Sequence, residues 1–235
     1  MQISPDQVVL WVWGPFRLTA TVVYTWVVMA VLVLGGHLAT RRVAATMRPG
    51  RWQSLLEVLV SGMRDQIREV SQHAPGPYLP FVGTLFLFIA TSNALAIVPG
   101  FTPPTGSLST TTALALCVLV AVPLYGIAER GLGGYLKSYV RPTVFMLPFN
   151  VIGEMSRTVA LAVRLYGNVM SGTVIGAILL SIVPFLFPIV MQVLGLLTGL
   201  IQAYIFAVLA MVYIASATRT HARRSPEAGE PDETR

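Results

Sequence analysis

The residue in this chain best placed to do chemistry is Arg164. It is followed by Leu165 to Thr218, 54 residues without Asp, Glu, Lys, Arg or His. That tract is apolar enough to cross a bilayer twice, which sets Arg164 inside the membrane. An Arg at the bilayer centre costs about 2.5 to 17 kcal/mol, depending on how far it snorkels. It keeps its charge there, because its pKa stays above roughly 12. No intramembrane carboxylate lies close by in sequence. The expected partner is therefore water or a carboxylate on another protein.

Helical spacing sorts the polar residues around it. Glu154 and Arg157 are three apart and can pair at the membrane interface. Arg157, Arg164 and Asn168 follow at intervals of seven and four, on roughly one helical face. An intramembrane Asn ordinarily serves a helix–helix hydrogen bond. Gln202 is a strongly polar side chain deep in the last apolar segment, and an inter-helix bond and a channel role both fit it. Gly167, Gly172 and Gly176, with Ser171, give a smooth surface for close helix approach, and Gly195 and Gly199 repeat it. Such stripes usually serve packing; a functional version needs a moving partner.

These residues must be carried by membrane helices. The chain is 54% hydrophobic and 11% charged, with mean hydropathy +0.70. Soluble domains carry about 25% charged residues, so an all-α polytopic membrane protein is expected. Uncharged runs predict five membrane helices over 18–39, 79–99, 110–128, 143–183 and 186–218, the last two separated near Pro184. Both of these last helices are too long to stand upright in a core of about 30 Å, so a strongly tilted hairpin is expected. Over 51–72, apolar residues recur at three- and four-residue spacing among Arg51, Glu57, Arg64, Asp65, Arg68 and Glu69, which predicts an amphipathic interfacial helix.

Basic and non-basic connections alternate through all five passes. The first sixteen residues lack Lys and Arg, whereas Arg41 to His73 holds six Arg. The connection from Glu129 to Arg141 and the tail are also basic. This predicts an N-terminal segment, 1–17, outside, a single membrane domain over 18–220, and a disordered cytoplasmic tail over 221–235. The charge of +6 thus follows membrane topology and gives no reason to expect nucleic acid. Cys117 is the single cysteine, which leaves no internal disulfide. No Asp lies in any expected pass, no His-Glu-x-x-His occurs, and His37, His73 and His221 fall at segment ends. Neither an intramembrane enzyme nor a metal or cofactor site is expected.

The run from Gly153 to Gly172, with Glu154, Ser156 and Arg164-Leu165-Tyr166-Gly167-Asn168 within it, resembles the signature of subunit a of F-type ATP synthases. Gln202 to Leu209 and Val212 to Ile214 are similar to that family's last helix, and Asn93 with Ile97 to Gly100 to an earlier segment. The resemblance implies a non-catalytic stator subunit in a bacterial inner membrane, working against a rotating ring of c subunits that each carry a membrane carboxylate. Subunit b of the stator and other synthase subunits are further implied partners, besides the lipid bilayer. Arg164 matches the essential Arg, which attracts each carboxylate as it loses its ion and blocks direct passage between two half-channels. Asn168 and Gln202 match polar positions near that Arg. Glu154 and Ser156 match the cytoplasmic half-channel.

One departure bears on the ion. Many members of the family have carboxylate or imidazole groups in the outer half-channel, at the positions of Thr173 and Gly195 here. Neither residue titrates, so water-filled passage is expected. Proton flow coupled to ATP synthesis or hydrolysis is the first expectation. Hydroxyls, amides and carbonyls also suit sodium, a hard cation, and the chain is similar to a variant bacterial branch linked to sodium. A self-contained channel or carrier stays open as a third class, although no internal repeat is visible.

Overall fold

A computed structural model of the chain describes residues 9–13, 16–40, 51–71, 76–98, 100–140, 145–182 and 187–218. The expectations for residues 1–8, for the turn at 183–186 and for the tail over 221–235 lie outside the described residues. Six α-helices make up nearly all of the rest: α1 (Ala20–Thr40), α2 (Arg51–Ser71), α3 (Leu79–Leu95), α4 (Leu108–Val140), α5 (Met146–Ile182) and α6 (Phe187–Thr218). Ahead of them comes an antiparallel hairpin, β1 (Val9–Trp13) and β2 (Phe16–Thr19). This hairpin occupies the latter half of the N-terminal segment expected over 1–17 and runs two residues into the first expected pass. Its Val, Trp and Phe content is what favours strands.

Among the described residues, four helices are long and apolar enough to cross a membrane: Ala20–Leu38 in α1, Leu108–Glu129 in α4, Leu147–Ile182 in α5 and Ile189–Thr218 in α6. The chain is a helical, polytopic membrane protein. The expected second pass is shorter than anticipated, because α3 has 17 residues, about 26 Å at 1.5 Å each. Its end is tightened by three-residue bonds, from the amides of Ala96, Ile97 and Val98 to the carbonyls of Asn93, Ala94 and Leu95. The expected third pass is longer, because α4 runs on through the connection from Glu129. It breaks once, at Gly131, with φ 71° and ψ 161°.

α6 is the spine of the bundle. Gly199, Gln202, Ala203, Phe206, Ala207, Ala210, Met211, Ile214, Ala215 and Thr218 are all buried, a stripe at three- and four-residue spacing. In lipid no hydrophobic force drives apolar helices together, so close packing must hold them. The stripe meets that need with small residues facing the larger Val82, Leu85, Phe88 and Ile89 of α3. α4 adds Ala115, Val118, Ala121 and Val122 to the same core. α5 contributes only Leu161, Ala162 and Leu165. α2 leaves Glu57, Arg64, Asp65, Arg68 and Glu69 exposed and buries Ile67, as an amphipathic helix lying on other helices would.

Two polar clusters fasten the ends of this bundle. At one end Tyr78, which caps α3, is buried, and its hydroxyl donates to a Glu129 carboxylate oxygen of α4. Burial first, and then that bond, push the Tyr78 pKa up to about 12, so it stays a donor throughout the physiological range. Its ring lies 5.2 Å from that of Tyr125, whose own hydroxyl donates to the Pro77 carbonyl. At the other end the connection between α3 and α4 tucks into the protein. Pro103 to Ser107 are all buried, with a short 3-10 turn over Pro104–Gly106. Irregular backbone of this kind is tolerated at membrane depth only when protein covers it.

Gly131 gives a test of the helix break. A Cβ there would meet nothing within 4 Å, so any cost of adding one is conformational. A side chain in this backbone region costs about 1–3 kcal/mol. Gly131→Ala is expected to lower the thermal midpoint of the purified protein in detergent, whereas Gly133→Ala, in ordinary helix with open space around it, should not.

Candidate functional site

α5 presents two different sides. Leu161, Ala162 and Leu165 face the bundle; Ser156, Ala160, Arg164 and Ser171 are exposed and Gly167 is half-buried. At 100° per residue these last five fall within about 80° of arc. The result is a narrow, small-residue face with one guanidinium in its middle. Arg164 makes no hydrogen bond or ion pair among the described residues. A Cβ added to Gly167, Gly172 or Gly176 would meet nothing within 4 Å. The smooth surface read from the sequence is therefore not consumed by packing within the described residues.

The seam between α5 and α6 fixes the height of Arg164. Toward the start of α5, the Arg157 guanidinium lies over the Tyr213 ring, 5.9 Å from its centroid, a cation–π contact. Further along, the Asn168 amide donates to the Thr198 carbonyl at 3.4 Å. The numbering runs in opposite directions across these contacts, so the helices are antiparallel. Between them, the register puts Arg164 across from the turn of α6 that holds Gln202 and Tyr204. Asn168 bonds to α6 in the way an intramembrane Asn ordinarily does.

Gln202 is 6% exposed, and its Nε2 has no hydrogen-bond partner among the described residues. A buried amide without an acceptor costs about 1–3 kcal/mol, so native proteins rarely leave one unexplained. Of the two roles the sequence allowed, an inter-helix bond from this nitrogen is absent among the described residues.

Other expected site residues lie further off. Glu154 is half-buried about 15 Å along α5 from Arg164, at 1.5 Å per residue, with Ser156 exposed beside it. Thr173 is about 14 Å away in the other direction and on the opposite side of the helix, its hydroxyl donating to the Met170 carbonyl at 2.8 Å. Arg164, Asn168 and Gln202 thus share one level of the seam, and Glu154, Ser156 and Thr173 lie above or below it.

The sequence marked Asn93 only as part of a resemblance, and not the polar node that it forms behind this level. Asn93 of α3 is buried; its amide donates to the Gly199 carbonyl at 2.9 Å and its Oδ1 accepts from the Thr105 hydroxyl at 3.1 Å. Ser92 Oγ lies 3.4 Å from the same Thr105 hydroxyl. Ser92 and Asn93 side by side in an apolar run were a signal that something buried must satisfy them. Thr105, in a connection, carried no such signal.

Comparison with known proteins places the chain among similar sequences. Residues 22–215 match the family described as ATP synthase A chain. The chain is 61% identical over 219 residues to ATP synthase subunit a 2 of Acaryochloris marina, covering 93% of this chain and 94% of the relative. It is 58% identical over 230 residues to ATP synthase subunit a of Albidiferax ferrireducens, covering 98% and 99%. With ATP synthase subunit a 1 of Chlorobaculum parvum the identity is 59% over 220 residues, covering 94% and 97%.

The glycines of α6 separate packing from open surface. A Cβ on Gly199 would lie 2.9 Å from Asn93 Cβ and Cγ, whereas one on Gly195 would meet nothing. Gly199→Ala is expected to destabilise the protein by about 1–3 kcal/mol through overpacking. Gly195→Ala should stay within about 0.5 kcal/mol. Thermal midpoints of the two variants, measured side by side, check the contrast.

Proposed function

We propose that this chain, which belongs to the ATP synthase A chain family, is the membrane subunit that passes ions to and from the rotor of an F-type ATP synthase. It performs no catalysis itself. The observation that carries the reading is Arg164: a permanent charge at the centre of an apolar helix, on an exposed small-residue face, without a partner among the described residues.

A c-ring passing across that face would bring a membrane carboxylate to Arg164. At about 4 Å and an effective dielectric of 20, the pair gains about 4 kcal/mol. That is enough to favour the ionised carboxylate at this one position, and small enough for rotation to break. The ion leaves the carboxylate on approach and is replaced after departure. The same positive charge repels protons and sodium, so ions do not cross directly between the two half-channels. Asn168 and Gln202 line the seam at this level, and the Gln202 amide, buried without a partner among the described residues, is placed to bond a water that enters the seam. Glu154 and Ser156 belong to the cytoplasmic half-channel, and Thr173 to the outer one.

In this reading α3 counts as the second of five passes. The N-terminus lies outside and the C-terminus in the cytoplasm of a bacterial inner membrane, and α5 and α6 form a tilted hairpin. Their 37 and 32 residues span about 55 and 48 Å, more than the bilayer core allows upright. Subunit b and the rest of the stator cover other surfaces.

Protons are the first reading of the transported ion. Sodium is the second, favoured by Thr173 and Gly195 where a carboxylate or imidazole relay would otherwise stand. With no titratable relay, ions reach the ring through water, and hydroxyl and carbonyl oxygens can escort either one.

Arg164→Ala in the assembled complex is expected to abolish ATP-driven ion uptake into vesicles while the complex still assembles; near-normal coupled pumping would refute the role given to Arg164. Thr173→Ala should lower uptake only slightly, since no proton transfer depends on it, and complete loss would contradict water-filled passage. Sodium uptake that persists or rises with a protonophore present identifies a primary sodium transporter. Acidification without sodium uptake, seen when the protonophore is omitted, identifies a proton machine.

A further inference from the structure

Two amides from two different helices converge on α6. Asn168 of α5 donates to the Thr198 carbonyl and Asn93 of α3 to the Gly199 carbonyl, consecutive acceptors on one turn. Within the helix these same carbonyls already accept the amides of Gln202 and Ala203, so each uses its second lone pair for the incoming side chain. Thr198 bends its own hydroxyl back to the Leu194 and Gly195 carbonyls, at 2.9 and 3.2 Å. This turn of α6 is gripped from both sides, and it is the turn that leads directly into Gln202.

The Asn93 grip is the stronger of the two. Asn93 is 5% exposed, its amide bond is 2.9 Å against 3.4 Å for Asn168, and Thr105, itself fully buried, holds its Oδ1. The approach is possible only because residue 199 is glycine: a Cβ there would come within 3.0 Å of three Asn93 atoms. Gly199 and Gln202 are three residues apart and share the buried stripe. Turning α6 by one residue, about 100°, would carry Gln202 off that stripe and break the Asn93 bond together. The nearby amides of Asn93 and Asn168 are bonded, and among the described residues the Gln202 Nε2 is the buried side-chain atom left without a partner.

We infer that Asn93 is a positioning residue for ion transfer: held by Thr105 and bonded to the Gly199 carbonyl, it sets the rotation of α6 that presents the Gln202 amide at the level of Arg164. The inference rests on the role proposed above for Gln202. Asn93 itself touches no ion. It acts through α6, so its removal harms transfer only to the extent that Gln202 contributes.

A double-mutant comparison in the whole complex tests this, with ATP-driven ion uptake into vesicles expressed per assembled complex. Asn93→Ala is expected to lower uptake about fivefold or more, the scale set by losing a buried hydrogen bond. In a Gln202→Ala background it should add almost nothing, because the two residues act in series. If Asn93→Ala assembles poorly, Thr105→Val replaces it: the shape is kept, the bond to Oδ1 is lost, and the same non-additivity is expected. A second readout is thiol labelling of Gln202→Cys in a Cys117→Ser background, whose rate Asn93→Ala should change in complexes that have assembled fully. Multiplicative losses, or normal uptake and unchanged labelling with Asn93 or Thr105 replaced, overturn the inference and leave the role of Gln202 standing. Normal uptake by Gln202→Ala removes that role, and this inference falls with it.

Discussion

A charge that cannot be neutralised, set in a helix that must be apolar, governs this molecule. A lysine or carboxylate at the position of Arg164 could shed its charge when buried; a guanidinium does not. The bundle meets this by leaving it at the surface. α5 buries only three residues of its middle, and its remaining faces stay open to whatever lies beside the chain. α6, next to it, does the opposite and buries a stripe of ten residues between Gly199 and Thr218. The pair divides the labour: one helix holds the structure together and the other meets the outside.

Keeping polar groups inside an apolar bundle then becomes a question of acceptors. Water is scarce at depth, and side-chain amides need carbonyls. Helical carbonyls have a spare lone pair, and this chain uses it repeatedly. Asn93, Asn168, Thr198, Thr158 and Ser171 all donate to backbone oxygens of α5 or α6. Gln192 reaches the Ala96 carbonyl at the end of α3 in the same way. Those that cross between helices, from Asn93, Asn168 and Gln192, set helix rotation more finely than apolar packing can, because a hydrogen bond is lost over a few tenths of an ångström.

Much of this was legible in the sequence, and the pattern of success has a physical cause. Arg164 announced itself because a charge beside a 54-residue uncharged tract has no ordinary explanation. Helix α2 was readable from its three- and four-residue spacing, and α5 and α6 from length and the absence of charge. Ends were harder. Helix resumes past Glu129 because charged residues do not stop a helix outside the membrane, and the backbone leaves helical geometry at Gly131 alone. α3 stops short because its last turn tightens ahead of Pro99, a preference that hydropathy does not register. The links from Asn93 to Gly199 and from Tyr78 to Glu129 span 106 and 51 residues. No local pattern encodes such pairings; they appear only once the helices are placed beside one another.

The open face of α5 also bears on how the protein comes to exist. On the proposed reading, the chain alone in the bilayer holds the Arg164 guanidinium against acyl chains, at a cost of about 2.5 kcal/mol or more. In the proposed assembly a partner that brings a carboxylate to that face offsets the cost, so part of the free energy of assembly is already stored in the unassembled subunit. The orphan chain is the strained state, and docking relaxes it. On that reading, insertion into the membrane and incorporation into a complex are thermodynamically linked steps, and Arg164 makes the first expensive and favours the second.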